Sequence, residues 1–484
     1  ILADLLKGLK KLGQPLKKKA TTNSIASNKM KQISHNPKTL HKPTDSNMGR
    51  TDTGKACDKA KACTREGEPI SMVTGEELLE LEDFTFDGPL PLVWQRVYRS
   101  SNAQQRGLGI GWTHPASEQL KASRYMVTYV DEEGRNIPFS RPAVGESNTN
   151  NTEKLSLTCI DQHVFVLRST INPNQADRIF VGEKNQPNQS INYNQALPLR
   201  ALEDAHGNRL DFIYHADNQQ LQGIQSSWGA ALRFQWDQGL IRQIDRISVA
   251  DDTNNTNASP QITPLVQYHY NEHQDLIACI DANQHAEKYQ YNNHVITQRT
   301  LKTGFNFYFE WDQYTPEARC IKQYGDDGIY DYRFKWDDDN RISRAIDSRG
   351  GVKEFHYNDD GKVTKEIDAE GSITLFQHDK NGNITQRTEA ANTKSHSTTH
   401  HYTYNNEGQV TTYQDPAGGG YQVSYNNNQP ISVTDALGNT WTRQYNDNGA
   451  IKSITDPNGQ STQYTYNATG QPSDITDASG ITKH

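Results

Sequence analysis

Residues 445–467 read YNDNGAIKSITDPNGQSTQYTYN, and the parsing of this stretch decides the fold. It carries two glycine turns, Y-N-x-x-G and D-x-x-G. Gly449 and Gly459 are free to adopt positive φ, and Asp456 can accept backbone N–H bonds in an Asx-type turn. In QSTQYTY, Thr462, Tyr464 and Tyr466 fall on one face of a strand, and Ser461, Gln463 and Thr465 on the other. One unit is therefore a hairpin. The strands after the first turn are less regular. Ile431 and Val433 alternate, Ile451 and Ile454 do not, and Ile342/Ile346 and Val363/Ile367 fit strand or helix spacing. Turn signals roughly every ten residues decide for strand, because helices that short do not stand alone.

The unit recurs upstream, and repetition takes precedence over any other fold signal. Aligned on an aromatic, the copies begin at Trp336, Tyr357, His378, Tyr404, Tyr425, Tyr445 and Tyr466, mostly 20 or 21 residues apart. One step of 26 residues holds the insert AANTKSHSTTHH. Four residues after the aromatic stands Gly361, Gly382, Gly408, Gly449 or Gly470. Ten or eleven residues after it, an Asp opens D-x-x-G: Asp347 to Gly350, Asp368 to Gly371, Asp415 to Gly418, Asp435 to Gly438, Asp456 to Gly459 and Asp477 to Gly480. DAHG (204–207) is an earlier instance, and Tyr270 to Asp281 keeps the spacing with Gln284 in place of the glycine. These positions are expected to be structural turns, since repeat positions recur for structural reasons. A single hairpin is marginal in water, whereas a stack buries its aromatics continuously and needs a cap on its first edge.

Composition agrees with β-structure. The 484 residues are 33% hydrophobic and 9% aromatic, with 23 Tyr, and the mean hydropathy is −0.88. Abundant Tyr, Thr, Asn and Gly favour strands and turns, and the apolar content suits a thin sheet, buried mainly on one face or wrapped around something. Residues 1–65 carry 15 Lys+Arg against 4 Asp+Glu, a net of +11; the whole chain carries −8, which leaves −19 for residues 66–484. A basic arm thus precedes an acidic body, and the arm suits an acidic partner or a membrane surface. ILADLLKGLKKLG places Ile1, Leu2, Leu5, Leu6, Leu9 and Leu12 on one helical stripe, which could touch a membrane or pack on protein. No run of 18 apolar residues exists.

Three regions are expected. Residues 1–65 are a basic arm or linker with a short amphipathic helix. Residues 66–200 are a β-rich entry or cap module, with strand candidates around Trp94, at RYMVTYV (124–130) and at QHVFVLRS (162–169), and a loop over 142–157. Residues 201–484 are the repeats.

Catalytic motifs are missing from the sequence: there is no G-x-S-x-G, H-E-x-x-H or Walker A. Cys57 and Cys63 have no second pair to complete a zinc site, and His396, His400 and His401 lie in the repeat insert without an evident carboxylate or Cys partner. The D-x-x-G aspartates lack the alternating oxygen ligands of a calcium loop. No metal, cofactor or nucleic acid is expected, and the chain itself is expected not to be an enzyme.

The repeat resembles the YD repeat of Rhs proteins, and GEPISMVTGEELLELEDFTFDGPLPLVWQRVYRSSNAQQRGLGIGWTHP is similar to the N-terminal module of bacterial polymorphic-toxin Rhs proteins. Together they cover about residues 66–484. The resemblance implies an all-β fold, a long spiralling antiparallel sheet that forms part of a hollow cocoon around a C-terminal toxin. It further implies a type VI-like route from the bacterial cytoplasm into target cells. The implied partners are the rest of the shell, the toxin domain, and a secretion-spike protein of the VgrG/PAAR type or an adaptor chaperone met through residues 1–65. No PAAR domain is recognisable ahead of residue 66, and no cleavage segment or toxin is seen before His484, so the chain is expected to be an N-terminal portion of such a shell. The alternative is a surface adhesion or carbohydrate-binding repeat protein, whose Tyr-rich sheets stack on sugars.

Overall fold

The computed structural model describes residues 47–182, 196–216, 219–248, 260–393 and 395–483. The amphipathic stripe at 1–12, and the arm as far as residue 46, lie outside the described residues.

The fold is all-β. A long antiparallel sheet begins at Ser147–Asn150 and runs to Thr482–Lys483, each strand pairing with the next. Ahead of it, Gln119–Ala122, Met126–Val130 and Asn136–Ser140 form an antiparallel run. Gln119–Ala122 also pairs with Ala196–Glu203, so the pairing closes on itself. A separate three-stranded sheet comprises Leu78–Phe86, Leu92–Arg99 and Trp112–Thr113. No helix among the described residues is long and apolar enough to cross a membrane.

Three expectations change. The supposed loop at 142–157 contains Ser147–Asn150 paired with Leu155–Asp161; its polar residues find partners across the strands, such as Ser147 Oγ with Thr158 Oγ1 at 2.7 Å. Residues 47–65, expected in the arm, are packed into the fold. Met48 is fully buried, Arg50 exchanges backbone bonds with Asn136, and the Ala60 N–H donates to Glu133 at 2.8 Å. The division expected at 200/201 falls inside the strand Ala196–Glu203, and the long sheet has already begun before it.

The irregular strands have one cause. At nearly every repeat the register slips at the aromatic: Gln444 faces Ser453 but Tyr445 faces Ile451, which leaves Lys452 as the extra residue. The same bulge sits at Tyr357, His378, Tyr404, Tyr425 and Tyr466. One inserted residue puts Ile451 and Ile454 on the same face, which is why they fail to alternate. A bulge also bends its strand and adds twist, so the repeat carries its own curvature.

That curvature wraps the sheet around the N-terminal module. The core joins Trp94, Tyr98 and Trp112 of the small sheet to residues from Leu157 through Phe234, Tyr268, Tyr289 and Phe309 to Phe355. A three-stranded sheet can touch so many successive strands only if their shared face is concave.

After one coil the sheet meets itself. The loop holding Asn174 lies against Gly449, and the 204–207 turn lies against Gly470. Both contacts join turns 23 strands apart, and the Thr170–Glu407 contact joins turns 19 apart. A coil of about 20 strands at ~4.8 Å each is about 100 Å around, roughly 30 Å across.

Candidate functional site

The candidate site is the wall itself, with two faces and two rims. On the concave face, directly opposed pairs continue from Phe355 through Glu366 and Phe376 with Arg387 to Tyr402, Tyr413 and Tyr421, Val433 with Trp441, and Tyr464. In the first coil this face is covered by the module. In the second coil it is open: Tyr421 and Trp441 are 40% and 39% exposed. The opposite face carries hydroxyl pairs such as Thr434 with Thr440 at 2.9 Å and Thr476 with Thr482 at 2.9 Å.

The aromatics do more than pack. Tyr466 donates to the Ile451 carbonyl at 2.7 Å, Tyr445 to Pro430 at 2.7 Å, Tyr425 to Val410 at 2.8 Å and Tyr404 to Ile384 at 2.7 Å. Trp236, Tyr291, Trp311 and Trp336 make the equivalent bond. Each ring thus ties together the two strands of its own hairpin. The sequence signal for this was the restriction of most repeat starts to Tyr or Trp, the aromatics that carry a donor.

Both turns are built alike. Asp456 Oδ1 accepts the N–H groups of Asn458 and Gln460 at 2.9 and 2.8 Å. Asp347, Asp368, Asp415, Asp435 and Asp477 accept in the same way. In the Y-N-x-x-G turns the Asn has this role: Asn358 accepts from Asp360 and Lys362, and Asn467 from Thr469 and Gln471. The sequence reading credited those turns to glycine alone.

The two rims differ. Methyl groups placed on Gly361, Gly408 and Gly470 would meet Ala56, Lys154 and His206 at 3.0, 2.5 and 2.6 Å. On Gly350, Gly371, Gly418, Gly438, Gly459 or Gly480 they would meet no described atom within 4 Å. The Y-N-x-x-G rim is therefore a covered seam. In the first coil the module covers it: Ile241 N–H donates to Gly107, and Cys320 N–H to Gly75. In the second coil the earlier coil does, with Asn208 Nδ2 donating to Thr469 at 2.7 Å.

Module and wall are joined by buried charge. Arg96 binds Asp83 through Nε at 2.9 and 3.0 Å and Tyr289 through Nη1 at 2.9 Å. Tyr268 donates to Asp83 and receives Trp94 Nε1 at 3.0 Å. Arg299 bridges Glu287 at 2.6 Å and Glu68 at 3.0 Å. Behind them, Glu77 is fully buried with neither carboxylate oxygen partnered among the described residues. Burial, reinforced by Glu68, pushes its carboxyl well above the usual range, against the opposing pull of Arg299.

The sequence's metal candidates do not converge. Among the described residues no group of three His, Cys, Asp or Glu is placed to hold a metal. His400 stacks on Tyr413 and bonds its hydroxyl at 2.9 Å, and His396 pairs with Ser395. Cys57 and Cys63 line a cavity of about 300 Å³ between 57–74 and 361–384; burial pushes the Cys63 thiol up to about 12.

These features define a repeat protein whose work is to form a curved, capped wall. Residues 357–394 and 445–482 match the family model described as RHS Repeat, and residues 67–139 match a domain of unknown function, DUF6531. These matches support an Rhs/YD-repeat protein. It is 25% identical over 315 residues to the probable deoxyribonuclease RhsB of Dickeya dadantii (strain 3937), which covers 63% of this chain and 20% of that protein. It is 24% identical over 308 residues to the probable deoxyribonuclease RhsA of the same organism, covering 61% and 19%. The chain thus spans about a fifth of the curated relatives it matches. Among solved structures, the crystal structure of TcdB2-TccC3 aligns with 80% of this chain and 25% of its own, at 11% identity and a TM-score of 0.29. The Photorhabdus luminescens Tc holotoxin pore aligns with 86% and 27%, at 11% identity and a TM-score of 0.27.

Proposed function

We propose that this chain is a shell segment of a secreted Rhs toxin, enclosing a C-terminal toxin domain and delivered to competitor or host cells on a secretion spike. One observation carries the reading: the concave aromatic face that holds the module in the first coil continues uncovered through the second. A face rich in Phe, Tyr and Trp favours apolar and aromatic occupants over water, and a coil about 30 Å across leaves room for polypeptide. The relatives named as deoxyribonucleases fit a toxin carried outside residues 1–484. Electron microscopy of the complete polypeptide tests it: a hollow particle with internal density is expected, and a solid or filamentous particle defeats it.

Docking to a VgrG/PAAR-type spike or adaptor chaperone is assigned to the arm, on its charge contrast with the body. Because residues 47–65 are packed, the deletion that tests this stops at residue 46. It is expected to abolish co-purification with the partner while leaving the β circular dichroism unchanged; retained binding refutes it. The adhesion alternative is disfavoured by the sidedness of the sheet, which turns its aromatics to the concave face and its hydroxyls to the convex one.

A further inference from the structure

Three turns place an Asn directly before their glycine: Asn381–Gly382, Asn448–Gly449 and Asn458–Gly459. Such a step can close on itself, because a glycine leaves its main-chain nitrogen unshielded and free to swing towards the preceding side chain. The local geometry of the three is the same. The N–H groups of Gly382, Gly449 and Gly459 donate to the carbonyls of Asp379, Asn446 and Asp456 at 3.0, 2.9 and 3.0 Å. Their φ angles are 76°, 87° and 80°. Closure therefore requires the turn to open first, and what holds each turn shut differs.

Gly382 borders the cavity against 57–74 and lies under Lys362, whose Nζ is pinned to Asp58 at 2.5 Å. Gly449 is held through its carbonyl by Gln429 Nε2 at 2.8 Å and lies beside Asn174. Asn448 Oδ1 is occupied by the Ala450 N–H at 3.3 Å. The third turn has no such cover. Pro457, Asn458, Gly459 and Gln460 are all exposed, and a Cβ on Gly459 would meet no described atom within 4 Å. Asn458 bonds through its main-chain N–H, to Asp456, and its side-chain amide has no partner among the described residues.

We propose that Asn458, alone of the three, is a self-modifying site, whose amide converts to aspartate and isoaspartate without an enzyme. The Gly459 nitrogen attacks Asn458 Cγ. A bond forms between them, the Cγ–Nδ2 bond breaks, and the amide leaves as ammonia, carrying the proton that Gly459 gives up. Water then opens the resulting succinimide. Attack at Cγ yields aspartate, and attack at the main-chain carbonyl yields isoaspartate. Either product puts a new carboxylate beside that of Asp456. Isoaspartate also lengthens the main chain of the turn by a methylene, so Asp456 Oδ1 no longer reaches the N–H groups of residues 458 and 460 together. The hairpin of Ile451–Thr455 and Ser461–Tyr466 then loosens as the molecule ages.

The test incubates the full folded chain at mildly alkaline pH and maps its peptides by mass spectrometry, with isoaspartate read by enzymatic methylation. Product is expected to accumulate at Asn458 several-fold faster than at Asn381 or Asn448. The same incubation in urea is the control. With the fold removed, the three steps are expected to react at similar rates. No product at Asn458, or a rate there no higher than at Asn381 and Asn448, overturns the proposal. A folded-state ranking that persists in urea also overturns it, since the surroundings of the turn would then not be the cause.

Discussion

The hydroxyl of Tyr466 donates a 2.7 Å hydrogen bond to the carbonyl oxygen of Ile451, the first residue of the strand before it. That bond spans a hairpin and makes the repeat aromatic a staple as well as a packing group. Tyr466→Phe keeps the ring and removes the staple. A loss of about 0.5–1.5 kcal/mol is expected, the net value of one such bond, measured by urea unfolding. Tyr291→Phe should cost more, by a further ~1–3 kcal/mol, because the Leu276 carbonyl and Trp112 Nε1 both lose their partner at the module interface.

Gly459 and Gly470 have φ of 80° and 84°, yet they should respond differently to alanine. Gly459→Ala meets no described atom and costs only the left-handed backbone, ~1 kcal/mol. Gly470→Ala adds a clash with His206 and should cost clearly more. His206→Ala in the Gly470→Ala background should recover the difference in a double-mutant cycle, and no recovery would refute the clash.

Gln284 stands where the repeat calls for glycine and has φ 65°, a conformation costly for a residue with a Cβ. Its neighbours are exposed, so Gln284→Gly should stabilise the chain by up to ~1 kcal/mol, visible as a raised midpoint in thermal unfolding.

Arg96 is 1% exposed between Asp83 and Glu287. Arg96→Ala leaves the buried Asp83 carboxylate without its counter-charge, while Glu287 keeps Arg299, and is expected to cost about 3–5 kcal/mol. Limited proteolysis should then cut within 78–113, with a change in Trp94 fluorescence. Arg341, half-exposed in its pair with Asp359, is the contrast, since Arg341→Ala should change stability by less than ~1 kcal/mol.

Glu77 gives the module a pH dependence. Its folded pKa lies above the ordinary value of 4.5, so the folded state keeps a proton that the unfolded state has lost. Stability therefore falls as pH rises from about 4.5 towards the raised folded value. Glu77→Gln removes that fall. The variant should gain on the parent between pH 5 and pH 8 in denaturant midpoints; parallel profiles would show that Glu77 is not the group responsible.

Much of the fold was legible because its determinants are short-range. An all-β hairpin array follows from a 20–21-residue aromatic beat, paired glycines, and alternation in stretches such as QSTQYTY. What escaped the sequence has identifiable physics. Ile451 and Ile454 did not alternate because a bulge at Tyr445 inserts Lys452, and a bulge is visible only once two strands are paired. The strands in 142–157 were hidden by polar residues whose partners lie across the sheet. Residues 47–65 looked like a solvated arm because their partners lie far away in sequence: Lys59 pairs with Glu132, and the Ala60 and Gly49 N–H groups donate to Glu133 and Glu153.

The sequence by itself determined the unit: where the chain turns, which side chains share a face, and that the units repeat. Each is settled within about ten residues by φ preference, Asx hydrogen bonding and strand alternation. The tertiary structure decided the rest: which face is concave, that about 20 strands make a coil, that the module fills the first coil and leaves the second open, and which rim is covered. Those outcomes depend on small bends summed over many bulges, and on contacts such as His206 with Gly470 between residues more than 250 apart in sequence, so no local pattern encodes them.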